Sequence, residues 1–85
     1  MTPVEKELRM FSLFAHRNLA NDIVEGEGDY LDNLAGYFHR VNVPPPNSEA
    51  FKRVVILNSN TAEFANAILM LYRSSKRSSF VDCLV

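Results

Sequence analysis

Residues 18–34 are the segment that best predicts the fold, and they read Asn18-Leu-Ala-Asn-Asp-Ile-Val-Glu-Gly-Glu-Gly-Asp-Tyr-Leu-Asp-Asn-Leu34. An apolar repeat of helical spacing runs up to Gly26 and starts again after Gly28. Glycine readily ends a helix because it adopts the left-handed backbone conformation without steric cost. A link this short makes two helices antiparallel neighbours. The segment therefore predicts an antiparallel helical hairpin jointed at Gly26 and Gly28.

Upstream of the joint, the sequence predicts one long helix over residues 3–25. Thr2 and Glu5 have the spacing of a capping box, and Pro3 occupies the first helical position. We expect Met10 and Phe14 to widen the apolar stripe of this helix on one side. The stripe itself consists of Val4, Leu8, Phe11, Ala15 and Leu19, with Ile23 as its extension.

Downstream of the joint, Asp29 is placed to cap a second helix over residues 28–40. Its apolar face holds Tyr30, Leu31, Leu34, Ala35, Tyr37 and Phe38. The prolines at 44–46 end this helix and form a stiff spacer, because each removes a backbone donor and favours extended geometry. A third helix over residues 48–57 follows, capped by Asn47 or Ser48. Residues 54–57 are also compatible with a buried strand, but the chain offers no second strand to pair with it.

A fourth helix is predicted over residues 61–76, because Asn60 and Glu63 have capping spacing. Apolar residues cover much of its circumference, which is typical of a helix that is central in a bundle or covered by another subunit. Its apolar residues include Ala62, Phe64, Ala65, Ile68, Leu69, Met70, Leu71 and Tyr72. The serines of residues 74–79 predict a connector to an apolar tail. The resulting prediction is an all-α, small four-helix bundle, with a single domain at 1–79 and a docked C-terminal tail at 80–85.

Size and composition limit the classes of function. A chain of 85 residues forms one domain with a modest core, and association is a common route to stability at this size. The net charge of −1 supplies no field that would recruit nucleic acid. No apolar run approaches the roughly 20 residues of a membrane span. We expect no nucleic-acid partner and no membrane span, and the apolar excess of the first and fourth helices predicts a homodimer.

The joint carries an acidic cluster, which we call the acidic hinge: Asp22, Glu25, Glu27, Asp29 and Asp32. Alternating carboxylates occur in calcium loops, which also need Gly at the sixth position and Glu at the twelfth. Counted from Glu25, those positions hold Tyr30 and Gly36, so the match fails. Three interpretations remain: a solvated surface with Asp29 and Asp32 at the positive start of the second helix, a docking surface for a basic partner, or a cation site.

A basic segment near the C-terminus complements the acidic hinge. Arg73, Lys76 and Arg77 suit the C-terminal end of the fourth helix electrostatically, and Phe80 follows them. The segment is either a solvated helix end or a surface that meets the acidic hinge of a second copy. The candidate interaction surface therefore comprises the acidic hinge together with these four residues.

No residue pattern indicates catalysis, so we predict no catalytic, cofactor-binding or metal-binding residues, no cofactor and no enzyme. His16 and His39 lack a metal-ligand spacing, although an antiparallel hairpin would place them at similar heights. Cys83 is the one cysteine, which forms neither an intrachain disulfide nor a zinc site by itself. It is interpreted as a small apolar residue or as half of an intermolecular disulfide.

Residues 18–35 resemble a segment of a family of small, uncharacterised bacterial proteins that are usually exported. The shared pattern is Asp-x-x-x-Gly-x-Gly-(Asp/Glu)-x-Leu, which here comprises Asp22, Gly26, Gly28, Asp29 and Leu31. A downstream phenylalanine such as Phe51, followed by a further helix, is also similar. The resemblance implies bacterial origin and a helical hairpin, and supplies no catalytic residues. Relatives typically have an export signal and a longer N-terminal region, neither of which this sequence shows.

The leading functional hypothesis is a small non-enzymatic helical protein that acts through protein–protein interaction, as a regulator of another protein. One alternative is a small exported protein of the bacterial envelope. Another is a cation-binding protein or small enzyme that uses the acidic hinge. Charged residues interrupt the first twenty positions where an export signal would need an apolar core. The expected compartment is therefore the cytoplasm if Met1 is the natural start, and the periplasm if the sequence is trimmed from a longer protein.

Overall fold

The computed structural model describes the backbone of residues 1–84 and the side chains of residues 1–77. In this part of the chain all regular structure is helical: α1 (Pro3–Phe14), α2 (His16–Glu25), α3 (Asp29–His39), α4 (Ser48–Leu57) and α5 (Thr61–Leu84). The prediction of an all-α helical bundle is confirmed. The predicted count of four helices is wrong, because the segment expected to form one helix over residues 3–25 contains two.

The division between α1 and α2 falls at Ala15, whose backbone has φ −105° and ψ 22°. The chain stays hydrogen-bonded on either side, since the Ala15 nitrogen donates to the Phe11 carbonyl at 2.9 Å and the Leu19 nitrogen donates to the Ala15 carbonyl at 2.7 Å. No proline or glycine marks this site in the sequence. The two halves follow different partners, because α1 packs mainly on α5 while α2 packs on α3 and α4. This interruption, which we call the bend at Ala15, therefore falls where the packing partners of the chain change.

The glycine joint forms as predicted at Gly26, which ends α2 in the left-handed conformation with φ 85°. Gly28 has φ 142° and is itself the residue that precedes α3. The prediction that Asp29 caps this helix is wrong, because Asp29 is the first helical residue and Gly28 offers no side chain for capping. The cap comes instead from Asp22, a residue of α2.

The other helix starts follow local sequence signals. Thr2 and Glu5 form both hydrogen bonds of the capping box, at 3.0 and 3.2 Å. Asn47 caps α4 by accepting from the Ala50 nitrogen at 3.0 Å. Asn60 accepts from the backbone nitrogens that open α5, at 2.9 and 3.2 Å. Residues 54–57 are helical, so the strand alternative for this segment is wrong.

The core is centred on aromatic side chains from three helices. Phe38 of α3 contacts Tyr72 of α5 and Phe51 of α4 edge to face, with ring centroids 5.5 and 6.1 Å apart. Aliphatic residues from α1, α2, α3 and α5 complete it: Leu8, Leu19, Ile23, Leu34 and Ile68. Burial raises the pKa of Tyr72, and the Glu5 carboxylate nearby raises it further. The core therefore draws on every helix and ties them into one unit.

The last helix is longer than the sequence predicts. The backbone is helical through residues 74–79, where a connector was expected, and α5 continues to Leu84. No proline or glycine follows Pro46, and serine costs a helix only a few tenths of a kcal/mol. Arg73, Lys76 and Arg77 therefore lie inside α5 and not at its negative end, where they were predicted. The expected docking of residues 80–85, with Phe80 and Cys83, falls outside the described side chains.

Candidate functional site

Two large apolar side chains project from the outside of α1. Phe14 is 96% exposed and Met10, one helical turn earlier, is 64% exposed. The buried side of α1 is centred on Leu8 and Ser12, both fully buried. At about 100° per residue, positions 10 and 14 point away from that direction. The prediction that Met10 and Phe14 widen the buried stripe is therefore wrong, because the apolar repeat did not indicate that the buried side includes Ser12.

Charged residues flank this apolar pair. Lys6 and Glu7 are exposed one turn before Met10, and Arg17 is exposed three residues after Phe14. We call these five residues, Lys6, Glu7, Met10, Phe14 and Arg17, the α1 outer face. Glu7 accepts from Arg40, the residue that follows α3, at 3.2 Å, and both side chains remain 55% exposed. The face thus has an ammonium and a carboxylate, Lys6 and Glu7, at its N-terminal side and a guanidinium, Arg17, at its C-terminal side.

A second exposed apolar pair ends α4, where Ile56 is 77% and Leu57 is 70% exposed. Asn58 closes this helix by donating from its side-chain amide to the Val54 carbonyl at 3.0 Å. Ser59 and Asn60 then lead to Thr61, which contacts His16. The end of α4, the start of α5 and the junction of α1 with α2 therefore lie at one end of the bundle.

His16 joins the two helices that meet at this end. Its Nδ1 atom lies 2.8 Å from the Thr61 hydroxyl oxygen. Its ring also packs on Phe64, with ring centroids 4.4 Å apart. His39, in contrast, is exposed in the last turn of α3. The contacts of His16 are thus structural, since they fasten the start of α2 to the start of α5.

At the opposite end, an ion pair ties α1 to α5. The Arg73 Nε atom donates to a Glu5 carboxylate oxygen at 2.5 Å, while the other Glu5 oxygen accepts from the Thr2 nitrogen at 3.0 Å. The hydrogen bond from Arg73, followed by that from Thr2, lowers the pKa of Glu5 to about 2. Arg73 was predicted as part of an interaction surface, and the structure shows that it holds α5 to α1.

The carboxylates of the acidic hinge differ in exposure and in hydrogen bonding. Asp22 turns towards the start of α3, where it accepts from the Tyr30 and Leu31 nitrogens at 2.8 and 3.2 Å. A Cβ atom on Gly28 would meet this carboxylate, so the close approach requires glycine. The other four, Glu25, Glu27, Asp29 and Asp32, are exposed. Asp22 is therefore a helix cap, and an exposed acidic surface surrounds it.

The residues that the structure describes show neither a metal-site cluster nor a membrane-spanning helix. Nowhere in that part of the chain do three or more His, Cys, Asp or Glu side chains come together in the manner of a metal site. Among the helices described, none combines the length and apolarity that crossing a membrane requires.

Lys76 and Arg77, the remaining basic residues of the predicted interaction surface, are exposed on α5.

Comparison with known protein families, curated proteins and solved structures gives no match to this chain. The resemblance of residues 18–35 to the exported bacterial family therefore stays a prediction. The surfaces of the chain itself, above all the α1 outer face and the acidic hinge, are the features from which a function can be inferred.

Proposed function

We propose that this protein is a small, non-enzymatic helical protein of bacterial origin. It acts through protein–protein contacts and forms a homodimer. The observation that carries the proposal is the α1 outer face, where a phenylalanine is 96% exposed beside a methionine that is 64% exposed. Singly exposed apolar side chains are ordinary on protein surfaces. An aromatic and a methionine that share one helix face are the residue types enriched at interfaces.

The energetics of a small chain support this interpretation. Burying a large apolar side chain such as Phe14 or Met10 stabilises a complex by about 1.5–3 kcal/mol per side chain. A chain of 85 residues buries a smaller fraction of its surface than a larger domain, so association adds stability that its own core does not supply. A partner that covers the α1 outer face removes these two side chains from water. The polar residues around them satisfy the usual pattern of an apolar centre with a charged rim.

The exposed part of the acidic hinge supplies a second recognition element. Glu25, Glu27, Asp29 and Asp32 give this end of the α2–α3 pair a negative charge that steers a basic partner and raises its rate of association. Lys76 and Arg77 of α5 carry the opposite charge. A regulator that binds another protein would use charge for encounter and the apolar pair for affinity.

The experiment that tests the proposal is sedimentation equilibrium of the purified full chain over a wide range of concentrations. We expect a mass that rises from monomer to dimer, with an equilibrium that Phe14→Ser shifts towards monomer. Ile56→Ser is the matched control, because it removes another largely exposed apolar side chain, at 77% exposure, from a different helix. A chain that stays monomeric at every concentration would contradict the homodimer.

A further inference from the structure

We propose that two copies of the chain pair through their α1 outer faces in antiparallel orientation, with Met10 of one copy packed on Phe14 of the other. In this arrangement Glu7 of each copy faces Arg17 of the other. The inference rests on the homodimer proposed above and adds its orientation, its register and the residues that specify them.

The register follows from the positions of the two pairs. Residues 10 and 14 have their midpoint at position 12, and so do residues 7 and 17. One twofold axis at the level of residue 12 therefore generates both contacts, and each occurs twice. This is the requirement for an isologous interface, in which the same patch serves both subunits. Met10 and Phe14 are well matched, because a thioether makes favourable contacts with an aromatic ring.

The face continues past the bend at Ala15, which brings Arg17 into the interface. Leu19 and Ile23 of α2 are buried, at 0% and 1% exposure, as Leu8 is in α1. Because the buried stripe runs on from α1 into α2 with helical spacing, the exposed side opposite it also runs on. Arg17 follows Phe14 by about one turn on that exposed side.

Charge selects the antiparallel orientation over the parallel one. A parallel pair would place Glu7 against Glu7 and Arg17 against Arg17, and like charges at an interface are strongly disfavoured. The antiparallel pair places each carboxylate against a guanidinium. Lys6 then falls opposite Asn18, a neutral exposed residue. The intramolecular bridge from Arg40 leaves Glu7 accessible, since its side chain is still 55% exposed.

The size of this face indicates a weak dimer. Specific interfaces bury roughly 1,000 Å² or more in total. Two copies of a three-turn helix face offer only a small contact, and small interfaces are typical of weak or transient complexes. We therefore expect an equilibrium that responds to concentration, and one that salt weakens because its orientation depends on exposed charges.

The test uses two charge reversals, Glu7→Arg and Arg17→Glu, measured alone and as an equimolar mixture by sedimentation velocity. Each variant alone makes like charges meet twice across the twofold axis, so we expect its dimer to weaken roughly tenfold or more. In the mixture the substituted side chains meet with opposite charges, and we expect a heterodimer at about the affinity of the wild type. Circular dichroism checks that each variant keeps its helical content.

Two control variants distinguish this pairing from a lost intramolecular bridge and from an interface at the end of α4. Arg40→Ala removes the bridge to Glu7 and should leave association unchanged, so a loss of bridging cannot account for the effect of Glu7→Arg. Ile56→Ser should also leave it unchanged, whereas Phe14→Ser should give monomer. Loss of the dimer with Ile56→Ser but not with Phe14→Ser would place the interface at the end of α4 and overturn the pairing.

The remaining outcomes distinguish this inference from the proposed function. A wild-type dimer that tolerates both charge reversals, or a mixture that fails to restore association, overturns the antiparallel pairing and leaves the homodimer standing. A wild type that is monomeric at every concentration overturns the pairing and the homodimer together.

Discussion

The carboxylate of Asp22 accepts a hydrogen bond from the backbone nitrogen of Tyr30 at 2.8 Å, and so the last turn of α2 caps the first turn of α3. A second hydrogen bond from the Leu31 nitrogen, at 3.2 Å, strengthens the cap. A carboxylate also suits the positive end of the α3 dipole. The glycine joint is thus closed by a side chain that lies outside it, which sets the position of α3 relative to α2.

Replacing Asp22 tests this cap. Asp22→Ala removes both acceptor bonds, and we expect it to lower the free energy of unfolding by about 1–2 kcal/mol. Asp22→Asn keeps a side-chain acceptor and loses only the charge, so its cost should be a fraction of that value. Urea denaturation of the two variants measures the difference, with the exposed Glu27→Ala as the control. Equal losses for Asp22→Ala and Glu27→Ala would show that the cap contributes nothing specific.

Gly28 allows a second test of the same joint. Gly28→Ala adds a Cβ atom that meets the Asp22 carboxylate, at a backbone angle of φ 142° that other residues rarely adopt. We expect a loss of at least about 1–3 kcal/mol in the free energy of unfolding. Gly36→Ala is the matched control, because Gly36 lies inside α3 and its added Cβ meets nothing within 4 Å.

The stability of the Gly36→Ala control should change in the opposite direction. Alanine is favoured over glycine in a helix interior, so Gly36→Ala is expected to raise the free energy of unfolding by up to about 1 kcal/mol. Thermal unfolding followed by circular dichroism reports both changes. If Gly28→Ala were as stable as Gly36→Ala, the close approach of Asp22 to Gly28 would not exist in solution.

Glu5 gives the protein an acid-sensitive contact between α1 and α5. Hydrogen bonds from Arg73 and Thr2 lower its pKa from 4.5 to about 2. Because the pKa is lower in the folded state, the carboxylate stabilises the fold fully above pH 4.5, and this contribution is lost as the pH falls towards 2. Its size is on the order of 2 kcal/mol, reduced from the full linkage value because Arg73 is partly exposed.

Glu5→Gln isolates that contribution. The variant should be less stable than the wild type at pH 7, and the difference should shrink between pH 4.5 and pH 2, where the wild-type carboxylate becomes protonated. Urea denaturation at a series of pH values measures it, with Glu27→Gln as an exposed control that changes little. A difference that is constant over this pH range would mean that Arg73 does not bind the Glu5 carboxylate.

The local signals in the sequence account for much of this fold. The capping box at Thr2, the left-handed glycine at Gly26 and the caps at Asn47 and Asn60 all depend on a few neighbouring residues. Such short-range hydrogen bonds are determined by residue type and spacing. The bend at Ala15 depends instead on which helices α1 and α2 pack against, and no residue there signals it. The cap from Asp22 was missed for the same reason, because it crosses from one helix to another.

The candidate interface was only partly accessible to sequence reasoning. Met10 and Phe14 are apolar residues within an apolar repeat, so their type indicated burial. Only the direction of the core, defined by Leu8 and Ser12, shows that they face outwards. The contact of Arg73 inside the fold was not predicted either, because a cation in a basic segment looks solvated. Its contact with Glu5 joins residues 68 positions apart, which no local pattern reveals.

Ser12 is a polar residue in the fully buried side of α1, the helix that packs most extensively on α5. Its hydroxyl oxygen is buried and has no hydrogen-bond partner among the residues that the structure describes. Leaving such a group without a partner costs about 1–3 kcal/mol, and alanine also has the higher helix propensity. Removing the hydroxyl while keeping a small side chain should therefore stabilise the fold.

We expect Ser12→Ala to raise the free energy of unfolding by about 1 kcal/mol. Ser12→Leu is the informative contrast, because its extra volume at a fully buried position overpacks the helix contact and should cost about 1–3 kcal/mol. Chemical denaturation of both variants beside the wild type measures the two effects. A loss of stability in Ser12→Ala would show that the hydroxyl has a partner in solution, and a gain in Ser12→Leu would show that α1 and α5 are less closely packed there than their buried surfaces indicate.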